Sequence, residues 1–455
     1  MKDLTQGSVV KQLLGMAAFM LVGMGVQTLY SLIDLYWVGA LGPKAVAAVT
    51  VATTVMFVSL ALSQMLGVGT GALVAQSIGA RNLPGANAVF NQAMAMALLQ
   101  TVLFTIIGLI VRADYAAAFS ADAETAAQVV GYLTWFIPAM ALQFPLMVMG
   151  SALRGSGNLK PGTLVQIGTV VLNLVFAPLL IFGWLGFPRL GVAGAGLATL
   201  VAIAFGVIAL SAYLRREGPA LALHPGRWLT PDRVLWGRLF KIGLPSAVEF
   251  ALMGAYMVFI TKVLSRYGAT EQAAFGIGQR LLQASMLPVM ALSFSAAAVA
   301  GQNYGAGLGG RVIETYRATL RFGLICAVIC VLIAQINPSG LVSAFTDAPE
   351  VIAEGGRFLR IISLNLLAVS FAFACFGVLS GLGNTVPTLI SSATRFAFIV
   401  ISTLVLLHFD RFEVTRLWWL SVGGTVIQMM MNLVFLRREL TIKLGAPANA
   451  LIPGR

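Results

Sequence analysis

Two carboxylates sit where water should be absent. Asp34, in the context YSLIDLYW, is the only acid besides Asp3 in the first 110 residues, and Glu249 follows Pro245 by four positions in GLPSAVEFALMGAY. An acid inside an apolar run costs about 2.5–3.5 kcal/mol on insertion scales and therefore turns toward a protein interior. A carboxyl held there, gaining and losing a proton near neutral pH, is the chemistry of proton-coupled work. Gln27 and Tyr30 precede Asp34 by seven and four residues and share its helical face. The competing reading of Asp34 is an interfacial acid among the belt aromatics Tyr36 and Trp37. For Glu249 it is an acid that pairs with an arginine or lines a wet vestibule. Arg395 lies about eight residues into another apolar run, where its guanidinium must snorkel or find a cavity.

Other chemistries fail on spacing. GAGLGG at 305–310 has the G-x-G-x-x-G pattern but follows an apolar helix instead of a strand, so it reads as a turn. No G-x-x-x-x-G-K-[ST] motif occurs, and His224 and His408 are far apart. Neither a catalytic triad nor a metal cluster emerges, so we expect no enzyme, no bound metal and no cofactor. Cys326, Cys330 and Cys375 are an odd trio within apolar runs and read as small buried residues. The net charge of +13 is spread over short loops instead of being gathered on one face, which argues against nucleic acid as a partner.

The elements that position these groups are membrane helices. Hydrophobic residues make up 59% of the 455 residues and charged ones 10%, well below the roughly one quarter usual in soluble domains. Twelve apolar runs read as spans, at roughly 11–38, 46–70, 88–111, 128–150, 162–183, 192–214, 239–264, 276–299, 318–337, 357–380, 387–407 and 416–436. The first is too long for a signal-peptide core and reads as a retained helix. About two-thirds of the Lys and Arg residues fall on the side that holds both termini, which predicts cytoplasmic termini in a bacterial inner membrane. The densest basic segment joins spans six and seven. The expected fold is an all-α membrane protein with an N-lobe at 1–214, a cytoplasmic linker at 215–238 and a C-lobe at 239–455.

The two lobes repeat. Gly42, Ala47 and Ala48 recur as Gly268, Ala273 and Ala274, and Gln76, Gly79 and Ala80 of AQSIGA recur as Gln302, Gly305 and Ala306 of GQNYGA. At the same offset Phe119 and Glu124 meet Phe345 and Glu350, and Gly155, Gly157, Asn158 and Pro161 meet Gly381, Gly383, Asn384 and Pro387. An even number of helices per copy makes both copies enter the membrane from one face, with a cleft between two pseudo-symmetric six-helix bundles.

IDLYWVGALGPKAVAAV, VAQSIGARN and LRGSGNLKP, in this order and with their second-half counterparts, resemble the multidrug and toxic compound extrusion (MATE) transporters of the multidrug/oligosaccharidyl-lipid/polysaccharide superfamily. The resemblance covers nearly the whole chain. It implies a rocking twelve-helix transporter that exports cationic or amphipathic drugs and dyes against an inward proton or sodium gradient, working as a monomer in the bilayer. Within the family the chain looks most like the prokaryotic branch with an N-lobe coupling acid. Asp34 matches that acid, and Asn173 and Thr199 match its partners on helices five and six; without the resemblance they would read as interhelical glue. The chain departs from its relatives at Ala177, where many carry a second acid, and at Phe19, near a kink-forming proline in others. Ala177 removes an oxygen that a hard cation prefers, so a proton is favoured over sodium. Relatives coupled through the C-lobe carry an acid in the helix of Glu249, usually further from the proline.

An adaptable apolar cleft is expected from Met20, Met24, Met56, Phe57, Trp135, Phe136, Met140, Met253, Tyr256 and Met257, together with Glu249 and Arg395. Taken singly, each of the apolar residues is more often a core or lipid-facing residue than a cargo contact; the expectation rests on the set. One proton moving down 100 mV releases about 2.3 kcal/mol, enough to sustain a useful gradient. Two other readings stand beside this one. A lipid-linked saccharide flippase on the same fold needs several cations in the cleft, and spans one to six supply almost none. A non-transporting scaffold or receptor would show no dye-evoked proton movement.

Overall fold

The computed structural model describes residues 2–120, 122–217, 221–408 and 413–445; the side chains of 30–35 and 217 lie outside that description. Helices account for the regular structure of the described residues: α1 Val9–Gly39, α2 Pro43–Gly79, α3 Leu83–Phe119, α4 Ala123–Gly155, α5 Lys160–Phe182, α6 Val192–Glu217 and α7 Arg233–Leu264. They continue as α8 Ala269–Gly305, α9 Gly309–Ile336, α10 Pro338–Ser343, α11 Pro349–Ile362, α12 Asn365–Gly381, α13 Val386–His408 and α14 Val414–Leu444. Eleven of them are each long and apolar enough to cross a bilayer. Their internal hydrogen bonds satisfy the backbone where lipid offers no partner, and interior prolines such as Pro138, Pro145, Pro178 and Pro245 are tolerated there.

The predicted tenth span, 357–380, is not one helix. It is α11 and α12, bent by 47° at Ser363–Leu364, and counting this pair as one span gives twelve. Gln335 of α9 donates from Nε2 to the Arg360 carbonyl (2.7 Å) and to Ser363 Oγ (3.0 Å), supplying partners at the break. The sequence hid this bend because no proline or glycine stands at the break and the stabilising group comes from another helix.

The chain forms two compact units. One comprises residues 1–3 and 18–247, the other 4–17 and 248–455, so α1 and α7 are each divided between them. In the first unit α4 packs against α2, α3 and α6; in the second α12 packs against α8, α9 and α14. The offset seen in the sequence relates these arrangements residue by residue. A Cβ on Gly155 would stand 2.7 Å from the Gly71 carbonyl, and one on Gly381 2.6 Å from that of Ala297. Both glycines therefore allow two helix backbones to touch. Asn158 donates to Tyr213 Oη and Asn384 to Glu439 Oε2, each at 2.9 Å. The turn after the second helix of each unit uses a left-handed residue, Arg81 (φ 57°) in one and Gly307 (φ 74°) in the other.

Candidate functional site

In the first unit the fifth and sixth helices meet through a polar pair in an apolar setting. Asn173 Nδ2 donates to Thr199 Oγ1 (3.2 Å), whose hydroxyl is also 3.1 Å from the Ala195 carbonyl, and both residues are buried. Around them lies a core that includes Ala177, Leu180, Ala195 and Ala198, together with Val38 of α1. Trp37 closes this end, edge-on to Phe182 and Trp184 at 6.1 Å each. Deeper along α1, Gly23 abuts Gln166 of α5; a Cβ on it would lie 2.8 Å from Gln166 Oε1. Position 34 falls in the helical run of α1, but the side chains of Asp34 and Tyr30 lie outside the described residues, and Gln27 is exposed. The structure thus brings together Asn173 and Thr199 among the predicted coupling residues. It also shows Ala177 wholly buried, adding a methyl and no oxygen to this core.

The second unit holds a different polar constellation. Along α13, Thr388, Ser391, Ser392 and Arg395 recur at three- and four-residue spacing, and along α14 Ser421, Thr425, Gln428 and Asn432 do the same, so each helix carries a polar stripe. The stripes are joined. Ser391 Oγ donates to Asn432 Oδ1 (2.6 Å), Gln428 Nε2 to Ser392 Oγ (2.8 Å), and Arg395 Nη1 to Gln428 Oε1 (3.3 Å). Ser392 Oγ in turn donates to Glu249 Oε1 of α7 (2.7 Å). The Arg395 guanidinium stands over the Tyr256 ring, 5.4 Å from its centre, and Tyr256 Oη and Ser421 Oγ share a hydrogen bond of 3.1 Å. Glu249 Oε2 and Arg395 Nε remain buried without partners, as does Oδ1 of Asn365 at the start of α12.

Glu249 and Arg395, singled out separately in the sequence, are therefore linked through Ser392 and Gln428, two residues that sequence reasoning passed over. The signal was present: four polar residues on one face of a membrane helix are seldom lipid-facing. The remaining cleft candidates disperse. Phe136 and Met140 are buried in the first unit's core, where Phe136 stacks on Tyr132. Met56, Phe57, Trp135 and Met253 are exposed, Met20 and Met24 are half-buried, and Tyr256 and Met257 pack on the second unit's core. None of them lines the cavity of about 530 Å³ that the first unit contains among α2, α3, α4 and the start of α7.

A family model described as MatE matches the chain over residues 20–179 and 245–406, once in each half. The probable multidrug resistance protein YoeA of Bacillus subtilis is 24% identical over 396 residues, covering 86% of each chain. A FAD transporter of Shewanella oneidensis is 26% identical over 83% of this chain and 82% of its own. The multidrug export protein MepA of Staphylococcus haemolyticus is 22% identical over 96% of both. Among solved structures, a MATE in the straight conformation superposes with a TM-score of 0.90 at 24% identity, covering 98% of this chain and 99% of that one. A MOP superfamily transporter from Pyrococcus furiosus gives 0.89 at 23%, covering 98% of each.

Proposed function

Because this chain belongs to the MatE family, we propose that it is a secondary active antiporter that exports cationic or amphipathic organic compounds, multidrug fashion, in exchange for protons. The observation that carries the reading is the buried Asn173–Thr199 pair. It gives α5 and α6 a neutral hydrogen-bonding surface in the same apolar core as Val38, one helical turn beyond position 34. A carboxyl presented there exchanges hydrogen-bond partners when its proton comes or goes, and so biases the packing of the first unit. The repeat supports a dry setting: Ile260, which stands in the second unit where Asp34 stands in the first, has no exposed surface. Ala177 contributes a methyl and no oxygen, which favours a proton over sodium.

In this mechanism protonation of Asp34 from outside loosens the bound compound, and the helix bundles rock as the proton leaves inward. The Glu249–Ser392–Gln428–Arg395 chain and the Tyr256 ring supply polar and aromatic contacts for cargo. The protein works as a monomer in a bacterial inner membrane with both termini cytoplasmic.

The test is dye export in energised everted vesicles. Addition of a cationic dye releases protons with the native chain and does not with Asp34→Asn. Equal proton release by the two, or transport that requires sodium at fixed pH, refutes the assignment.

A second reading has its own support. The Shewanella relative is a FAD transporter, and a guanidinium over an aromatic ring suits an anionic aromatic cargo. Under that reading Arg395→Gln abolishes flavin nucleotide export and spares dye export.

A further inference from the structure

The first unit's cavity is a groove on its apolar flank, and its two ends differ. Its walls are apolar side chains such as Val58, Met65, Met96 and Leu103, closed at one end by Trp236 and Phe240 of α7. Val58 and Leu103 are each 49% exposed, so the groove opens to whatever surrounds the helices, which in this protein is lipid. Along α3 it runs from Met96 to Tyr115, about 28 Å at the helical rise, close to the full depth of a bilayer core.

At the far end Tyr115 and Arg112 are tied to protein backbone, although Arg112 Nε stays buried without a partner. Tyr115 Oη donates to the Val51 carbonyl (2.8 Å), and Arg112 Nη1 donates to that of Leu109. At the α7 end a cation is free. Arg233 precedes Trp236 by three residues and Phe240 by seven, so it shares their helical face and lies one turn beyond the groove's mouth. Arg233 is exposed and in no ion pair among the described residues, whereas Arg238, two residues from both Trp236 and Phe240, faces the other side of the helix. The neighbouring acid, Asp232, is occupied: its Oδ1 accepts from the Val234 and Leu235 amides (2.9 and 3.1 Å).

The mouth is also held in place. Gln92 of α3 accepts from Trp236 Nε1 (2.8 Å) and from the Asp232 amide (3.0 Å), and donates to the carbonyls of Arg227 (3.1 Å) and Thr230 (3.0 Å). Asn91 beside it accepts from the His224 amide (2.7 Å) and Trp228 Nε1 (3.0 Å). Two adjacent amides thus fix the connection between the halves, and with it the start of α7, against α3.

A free cation at the end of an apolar slot complements one kind of molecule. We propose that this groove binds an anionic phospholipid from the leaflet on the α7 side, the inner leaflet in the orientation given above. Its phosphate rests on Arg233, and an acyl chain lies along α3 past Trp236 and Phe240.

The full chain, purified in detergent, is titrated with dioleoylphosphatidylglycerol or dioleoylphosphatidylcholine, and the first bound lipid is counted by native mass spectrometry. The native chain binds phosphatidylglycerol at least about fivefold more tightly than phosphatidylcholine, the advantage of one cation near a lipid surface, and Arg233→Gln brings the two lipids level. Leu103→Trp, which fills the groove from an exposed position, weakens both lipids about tenfold; Val58→Trp on the opposite wall repeats that reading if the first variant is poorly folded. Retention of the phosphatidylglycerol preference in Arg233→Gln overturns the proposal. So does undiminished binding in both tryptophan variants, or loss of the preference on Arg112→Gln instead, which would place the lipid in the opposite leaflet.

Discussion

Gln428 is the described link between Glu249 and Arg395, and replacing it with leucine tests whether the polar seam acts as one unit. The side chain is 8% exposed and makes two interhelical hydrogen bonds, one accepted from Arg395 and one donated to Ser392. Such bonds within membranes average about 0.6 kcal/mol each and reach about 1.7. Gln428→Leu, similar in volume, is therefore expected to lower stability by about 1–2 kcal/mol, with Arg395 left holding a second unpartnered nitrogen. The sharper measurement is a double-mutant cycle. Glu249→Gln and Arg395→Gln should couple by at least about 0.5 kcal/mol in the native background, and their effects should become additive in Gln428→Leu. Unfolding in mixed micelles at rising dodecyl sulfate fraction, followed by tryptophan fluorescence, gives each energy. A coupling that persists unchanged without Gln428 shows that the two charges communicate by another route; no coupling in the native chain shows that the seam is only packing.

Three further outcomes follow from the same geometry. Gly155→Ala and Gly381→Ala should each cost about 1–3 kcal/mol, because the new methyl meets a carbonyl of the neighbouring backbone, whereas Gly162→Ala, with nothing within 4 Å, should be neutral or stabilising; thermal scanning fluorimetry separates them. Arg81→Gly should stabilise the protein by about 1 kcal/mol and Gly307→Arg should destabilise it by a similar amount, since both positions are left-handed; chemical denaturation reads the pair. Asp122, which caps α4 by accepting from the Thr125 amide and hydroxyl, is held below the usual carboxylate range by those bonds. Its contribution is present above the ordinary carboxylate pKa and fades as pH falls through the lowered value; Asp122→Asn should flatten that limb of a stability–pH profile while retaining a cap.

What the sequence made legible was what one helix decides alone. Apolar residues all round a helix mark a span without reference to neighbours, and the turn glycines at a constant offset mark the repeat. The bend between α11 and α12 was not legible, because its polar support comes from Gln335 on α9. The pairing of Asn173 with Thr199 was accessible only through a family resemblance, since a lone asparagine and a lone threonine in separate spans do not announce each other. The polar stripes of α13 and α14 were legible in principle: Thr388, Ser391, Ser392 and Arg395 have helical spacing on their own. Neutral polar groups need partners in a membrane just as charges do, so such a stripe marks a helix contact.

The repeat shows why the two halves share a scaffold without sharing a chemistry. Contacts that set helix spacing recur on both sides, as with Gly155 and Gly381, or Thr199 and Thr425, each of which donates to the carbonyl one turn earlier. The ionisable groups singled out within the spans do not recur. Glu249 stands where the first half has Gly23, Arg395 where it has Thr169, Gln428 where it has Ala202, and Ile260 occupies the position of Asp34. Close helix packing depends on small residues and backbone shape, so duplication preserves it wherever the same crossing is kept. An intramembrane charge is costly unless a particular set of partners surrounds it, and the first half has no serine–glutamine pair at the positions that serve Glu249, just as the second has Ile399 in place of Asn173. Moving one acid to its repeat equivalent would therefore strand it, and function lost at one site cannot be restored by the same single substitution in the other half.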